Sequence, residues 1–390
     1  MLAFFAPARK AVLRGAAVVA ALALAACDVG PIGSGPSVNT SGPVTVALLV
    51  PKTSPTQGDG VLSASLENAA RLAMADLPGA QIDLRVYDTG GSSATAAAMA
   101  TQAVNDGAAI ILGPLRADAA NAAGLAVASQ GVNVLSFSNN ASIAGGNVFV
   151  LGNTFENTAN RLASYAAKQG KRRVVVVHSS DVPGQLGRNA ITQAVNGTSA
   201  EVVASVPYDL SQQSVIASVP QIVSAVNGNS ADMLFLTSTT AGALPLYSQL
   251  LPEAGVSPSA VQFTGLARWD VPAQTLSLPG VQGGWFALPD PTTSQQFSQR
   301  YTAAYGGAPH PIAGLGYDGI AAIGALLQSG RSDALSTQSL TQGAGFQGVY
   351  GAFRFLQNGS NERALAVATI QNNQVVVVDA APRSFGGIGF

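Results

Sequence analysis

The sequence predicts an α/β fold built from two similar blocks, each a parallel sheet covered by helices. Three observations predict it. Short apolar runs alternate with amphipathic segments of helical spacing, in a βαβαβαβ order that calls for a parallel, helix-covered sheet. The alternation then repeats over a second stretch of similar length. Finally, the chain has 390 residues, is 47% hydrophobic and only 10% charged, with a mean hydropathy of +0.29. A typical soluble domain is about 25% charged. Such a chain has ample apolar surface for a core and too much for disorder.

In the first block, VTVALLV (Val44–Val50) is a nearly continuous apolar run, as in a strand buried on both faces. Leu62, Leu66, Ala69, Ala73 and Leu77 then form a helical stripe over 62–77. A strand follows at Ile82–Tyr87 and a helix at Thr95–Asn105. A third strand spans Ala108–Leu112, a helix 117–130, and a fourth strand Val132–Phe137. Between the second strand and its helix lies Gly90-Gly91-Ser92-Ser93, read as a helix N-cap by Ser92 or Ser93. No lysine follows it and there is no GxGxxG, so it is not a phosphate cradle.

The second block repeats the alternation. Helices are predicted over Thr158–Gln169, 185–196, 212–227 and 242–251. Strands are predicted at Arg173–His178, Glu201–Tyr208, Met233–Thr237 and Val261–Gly265. Later segments are a strand at Gly283–Leu288, helices over 294–305 and 312–328, and a terminal pair near Ala352–Phe355 and Ala364–Ile370. Val375–Asp379 makes a last strand.

The leader reads as a lipoprotein signal. Arg9, Lys10 and Arg14 precede an apolar core from Ala16 to Ala23, and Leu24-Ala25-Ala26-Cys27 resembles a lipobox whose cysteine is acylated after cleavage. Residues 1–26 would be removed, and Cys27 would anchor the chain to a bacterial membrane. Cys27 is the only cysteine, so the exported fold would carry no disulfide. Residues 28–43 are rich in Gly, Ser and Pro and read as a flexible tether spanning about 20–25 Å. Asp28 resembles an inner-membrane retention signal of enterobacterial lipoproteins, which favours that membrane of the periplasm slightly.

Several chemistries are excluded. Nineteen basic against 20 acidic residues leave no basic excess for nucleic acid. The two histidines and the acylated cysteine are too few soft ligands for a zinc site. His178 is followed by Ser179, Ser180 and Asp181, but adjacent residues at a strand end do not form a hydrolytic triad. His310 sits between prolines and reads as a turn residue. No spaced carboxylate pair stands out. The expectation is a non-enzyme without cofactor.

The ordered set of segments resembles the type I periplasmic binding proteins, the group of leucine/isoleucine/valine receptors, over about residues 44–380. Its carriers are VTVALLV; LENAARLAMADL with VYDTGG; and QAVNDGAAIILGP followed by GVNVLSFSNN. NTFENTANRLASYAAKQGKRRVVVVHSSDVPG, GVQGGWFALPD and FQGVYGAFRFLQNGSNERALAVATIQNNQ complete the set. The resemblance implies two lobes joined by three hinge crossovers, near Leu151–Phe155, Trp285–Pro291 and Gly348–Phe353. The first lobe would hold 44–152 and 290–348, the second 153–289 and 349–390. A ligand would bind between them, against the carboxyl ends of strands.

The resemblance also implies site residues. Arg116 and the loop Ser136–Asn140, with Ser138 and Asn139 as donors, would hold a ligand carboxylate. On the second lobe the matching loops contain Ser180, Asp181 and Thr239. The receptors' ammonium-binding acid would fall near Leu266–Asp270, where Glu is absent, Asp270 is the nearest carboxylate and Trp269 would supply an aromatic wall. Two functions follow. One is a receptor for a small polar solute, such as an amino acid or amide, that docks on an ABC permease. The other is a lipoprotein of the penicillin-binding-protein activator type, acting on a peptidoglycan synthase by protein contact.

Overall fold

The structure, a computed structural model, describes residues 35–385. Cys27 and the leader lie outside them. The expected tether is partly docked: Val38 is buried in the first lobe's core, and its N–H donates to Ser332 O at 2.8 Å.

The first sheet is fully parallel, in the order β2 (Ile82–Asp88), β1 (Val44–Val50), β3 (Ile110–Leu112), β4 (Asn133–Ser136), β5 (Val148–Val150). Val46, Leu48 and Val50 are buried on one face of β1, and Ala47 and Leu49 on the other. That two-sided burial is why the run is continuously apolar. Each fully buried Val or Leu contributes about 1.5–3 kcal/mol. The flanking helices are α1 (Asp59–Asp76), α2 (Ser93–Asn105) and α3 (Ala117–Val127). Ser92 caps α2, accepting from Thr95 N at 3.1 Å, as the sequence suggests. The helix expected over 117–130 finishes in a 3-10 turn at Ala128–Gln130.

The second sheet has seven strands in the order β15, β14, β10, β9, β8, β6, β7. These are β6 (Arg173–Ser179), β7 (Glu201–Tyr208), β8 (Met233–Leu236), β9 (Gln262–Gly265), β10 (Trp285–Pro289), β14 (Leu365–Gln371) and β15 (Gln374–Asp379). It departs from the expected all-parallel form at one edge. β14 pairs antiparallel with β10, and β15 antiparallel with β14. The two-residue turn Asn372-Asn373, both with positive φ, makes the final hairpin. Its helices are α4 (Phe155–Lys168), α5 (Val182–Asn196), α6 (Gln212–Gly228) and α7 (Leu244–Glu253).

The chain leaves the first sheet after β5 and enters the second through α4. After β10 it returns as α8 (Pro291–Tyr305) and α9 (Gly314–Leu327), which pack on α1. A short α10 (Thr337–Leu340) precedes a third, three-stranded sheet: β11 (Phe346–Gly348), β12 (Gly351–Phe355) and β13 (Asn361–Arg363). The sequence predicts Ala352–Phe355 as one of a terminal pair with Ala364–Ile370. The structure puts them in separate sheets, because Phe353 and Phe355 insert into the first lobe's core beside Phe149 and Leu151.

Candidate functional site

Because β6, β7, β8 and β9 are parallel and paired in register, their carboxyl ends share one edge of the second sheet. The loops that follow enclose a cavity of about 400 Å³. Its polar lining includes Ser179, Asp181, Tyr208, Thr237 and Thr239, and its apolar lining includes Leu210 and Leu266. A neighbouring cavity of about 560 Å³ is lined by Asn139 and Asn140 of the first lobe and by Glu156, Val182 and Leu186 of the second. Phe155 and Pro183 line both. The two spaces therefore meet in one cleft between the lobes, at the strand ends where open α/β sheets bind ligands.

Asp181 and Thr239 are thus on the cavity wall, and Asn139 is on its neighbour. Asp181 Oδ1 caps α5 by accepting from Gly184 N at 3.1 Å, and also accepts from Ser179 Oγ at 2.5 Å. Ser180 turns aside: its hydroxyl donates to Tyr208 O at 3.2 Å.

The remaining expected residues are engaged elsewhere. Ser136 is fully buried and donates to Pro114 O at 3.1 Å, while its oxygen accepts from Ser138 N. Ser138 Oγ accepts from Asn140 N at 3.1 Å, so both hydroxyls brace the β4 loop. Arg116 donates to Asp59 Oδ2 at 2.8 Å, and its charge is already matched within its own lobe. The space beside it holds only about 10 Å³. Trp269 is no aromatic wall. Its side chain is fully buried in the second lobe's core, stacked against Phe286 at 6.4 Å between ring centroids. Asp270 is taken by its neighbour, accepting from Arg268 Nε at 2.9 Å.

The sequence assigns no site role to Tyr208, Thr237 or Leu210, and it names Phe155 and Leu266 only as ends of the Leu151–Phe155 crossover and the Leu266–Asp270 loop. Tyr208 ends β7 beside Ser179 in the parallel register, which is the signal that could have found it. Burial, reinforced by the Asp181 charge, pushes the Tyr208 hydroxyl up to about 12. It stays protonated at neutral pH and can both donate and accept. The buried Thr237 Oγ1 and Ser238 Oγ have no hydrogen-bond partner in the structure. A wall of this kind can hold an apolar group and satisfy a few polar atoms at one end.

It does not suit a hydrolase. His178 is buried, and its Nδ1 lies 2.9 Å from Ser179 O rather than facing a nucleophile. Among the described residues, no group of three or more His, Cys, Asp or Glu could hold a metal ion. No described helix is long and apolar enough to cross a membrane.

Residues 43–374 match the family model for periplasmic binding proteins. The chain belongs to the periplasmic binding protein family. Solved structures show the same fold across distant sequences. A branched-chain amino acid ABC transporter periplasmic ligand-binding protein from Burkholderia xenovorans has a TM-score of 0.72 at 16% identity, covering 87% of this chain and 96% of its own. An ABC transporter substrate-binding protein from Desulfitobacterium hafniense, in complex with Leu, reaches 0.65 at 19% identity, covering 86% and 99%. A solute-binding protein of an ABC transporter from Rhodopseudomonas palustris, in complex with 3,4-dihydroxybenzoic acid, reaches 0.60 at 17% identity, covering 87% and 98%. No curated protein sequence matches the chain.

Proposed function

We propose that this periplasmic binding protein is a lipid-anchored solute receptor that delivers a small polar solute, such as an amino acid or amide, to an ABC permease. It performs no chemistry of its own. The cleft carries the reading: one opening, lined from both lobes and floored by parallel strand ends, with Phe155 and Pro183 shared between its two parts. Solute would contact the second-lobe wall first, and the first-lobe β4 loop around Asn139 would close over it by a hinge motion. Related folds carry leucine in one case and 3,4-dihydroxybenzoic acid in another. Cys27 would hold the body at the membrane, next to the permease.

A ligand that binds only the native state raises the melting temperature. The test is a thermal-shift panel of amino acids, their amides and small aromatic acids at millimolar concentration. A rise with at least one class supports the receptor. No rise with any of them overturns it, and would turn attention to binding of the purified chain to a peptidoglycan synthase.

A further inference from the structure

The edge of the second sheet opposite β7 is unlike its surroundings. β15 is hydrogen-bonded on one side to β14, and among the described residues it has no strand on the other. Its sequence, QVVVVD, sets four β-branched residues in a row. Val375, Val376, Val377 and Val378 are 37%, 37%, 42% and 38% exposed. Successive side chains point to opposite faces of a strand, so both faces of β15 are apolar and open. Natural sheets blunt such edges with charges or proline. The opposite edge, β7, carries Glu201 and Pro207. β15 carries neither between Gln374 and Asp379.

We propose that β15 is a homotypic docking edge: two copies of this chain pair β15 to β15, antiparallel about a two-fold axis, and join their second sheets into one. The occupant of such an edge must offer a free strand with apolar side chains on both faces. Among the described residues, the only run of exposed large hydrophobics is β15 itself; Val61, Leu125, Val182 and Ile216 are isolated. A second copy therefore supplies the complement. Placing Val376 opposite Val376 of the other copy sets Val375 opposite Val377, which keeps facing side chains on the same face and joins the backbone groups that β14 leaves free. Asp379 is already paired with Arg161 at 2.8 Å. No like charges meet along the contact. Six residues from each copy make a small interface, below about 1,200 Å², so the dimer is weak and reversible.

The test is sedimentation velocity of the processed chain with Cys27→Ser, which removes association through acyl chains, from micromolar to near-millimolar concentration. The expected result is a concentration-dependent approach to the dimer mass. It should be lost in Val376→Lys/Val378→Lys, with the melting temperature unchanged because both side chains are exposed. Hydrogen exchange on the unsubstituted chain gives a reading free of any variant: amide protection at Val375–Val378 should rise with protein concentration. A monomer at every concentration, or a dimer indifferent to the two lysines, overturns the proposal. Growth beyond a dimer overturns the closed two-fold arrangement.

Discussion

Arg363 donates from Nη1 to Asp318 Oδ2 at 2.9 Å, and the two side chains are only 3% and 0% exposed. Asp318 lies on α9 of the first lobe, and Arg363 ends β13, just before the chain enters β14 of the second sheet. Arg363 Nε also donates to Leu151 O at 2.9 Å, where the chain first leaves the first sheet. Asp318 Oδ1 accepts from Val349 N at 2.7 Å. Next to them, Asn361 Nδ2 donates to Val150 O and Gly152 O at 2.6 and 2.8 Å. One buried polar network thus ties together two of the passages between the lobes. Burial pushes the Asp318 carboxyl up from its ordinary value, while Arg363 and the amides of Val349 and Tyr350 act against that rise.

Removing one partner leaves the other charge buried and unmatched, which costs about 3–5 kcal/mol. Asp318→Leu and Arg363→Leu should each lower the unfolding free energy by an amount in that range, read as a fall in the urea midpoint. The double variant should lose less than either single one, because no bare charge remains. Equilibrium unfolding checks this, and equal losses in all three variants would contradict it.

Gly265 and Trp269 form a second dependent pair, beneath the cleft floor. A Cβ on Gly265 would stand 2.1 Å from Trp269 Nε1 and 2.3 Å from Cε2. The indole is fully buried and has no room to retreat. Gly265→Ala should destabilise by about 1–3 kcal/mol through overpacking. Trp269→Phe, which deletes the crowded edge of the ring, should make Gly265→Ala milder. The coupling energy of the double-mutant cycle should then be clearly non-zero.

These pairs also show where sequence reading stops. β1 was legible because burial on both faces writes a continuous apolar run into seven residues. The Ser92 cap was legible because capping is local, and the parallel strand order of the first sheet because the βα alternation demands it. β5 was not: three residues, Val148–Val150, carry no periodicity and depend on pairing with β4. The β11–β12–β13 sheet is equally non-local, since Phe353 pairs with Phe346 and Arg363 and packs on a core assembled from distant residues. Nothing near Asp318 in sequence announces an arginine 45 residues on. At the site, residue types were readable but side-chain directions were not. Trp269 turns inward, and Arg268 captures Asp270 before any ligand could.

Acid should weaken the first lobe through Glu67 and Asp76. Burial raises both carboxyls, but hydrogen bonds to Glu67 from Arg71 and Lys52, and to Asp76 from Arg300 and Tyr317, more than offset it and hold both below their ordinary values. A carboxylate with a depressed native pKa stabilises the fold above its unfolded pKa and loses that contribution as pH falls through the native one. Urea midpoints should therefore decline below about pH 4.5. Glu67→Gln should remove part of that decline while lowering the midpoint at pH 7. An unchanged acid slope in Glu67→Gln would count against this assignment.

The receptor reading makes its sharpest demand at Ala241. This residue is exposed and lines the cavity with Tyr208, Thr237 and Leu266. Ala241→Trp would put an indole into about 400 Å³ of space without displacing any core side chain. Surface substitutions of this kind change stability by only about 0.5 kcal/mol. The melting temperature of the free protein should thus stay near its original value, and the thermal shift produced by the active class of solute should fall away. Thr239→Val, which replaces a polar wall group by one of equal shape, should reduce that shift without abolishing it. A solute response that survives Ala241→Trp undiminished would move the binding site away from the strand-end cleft.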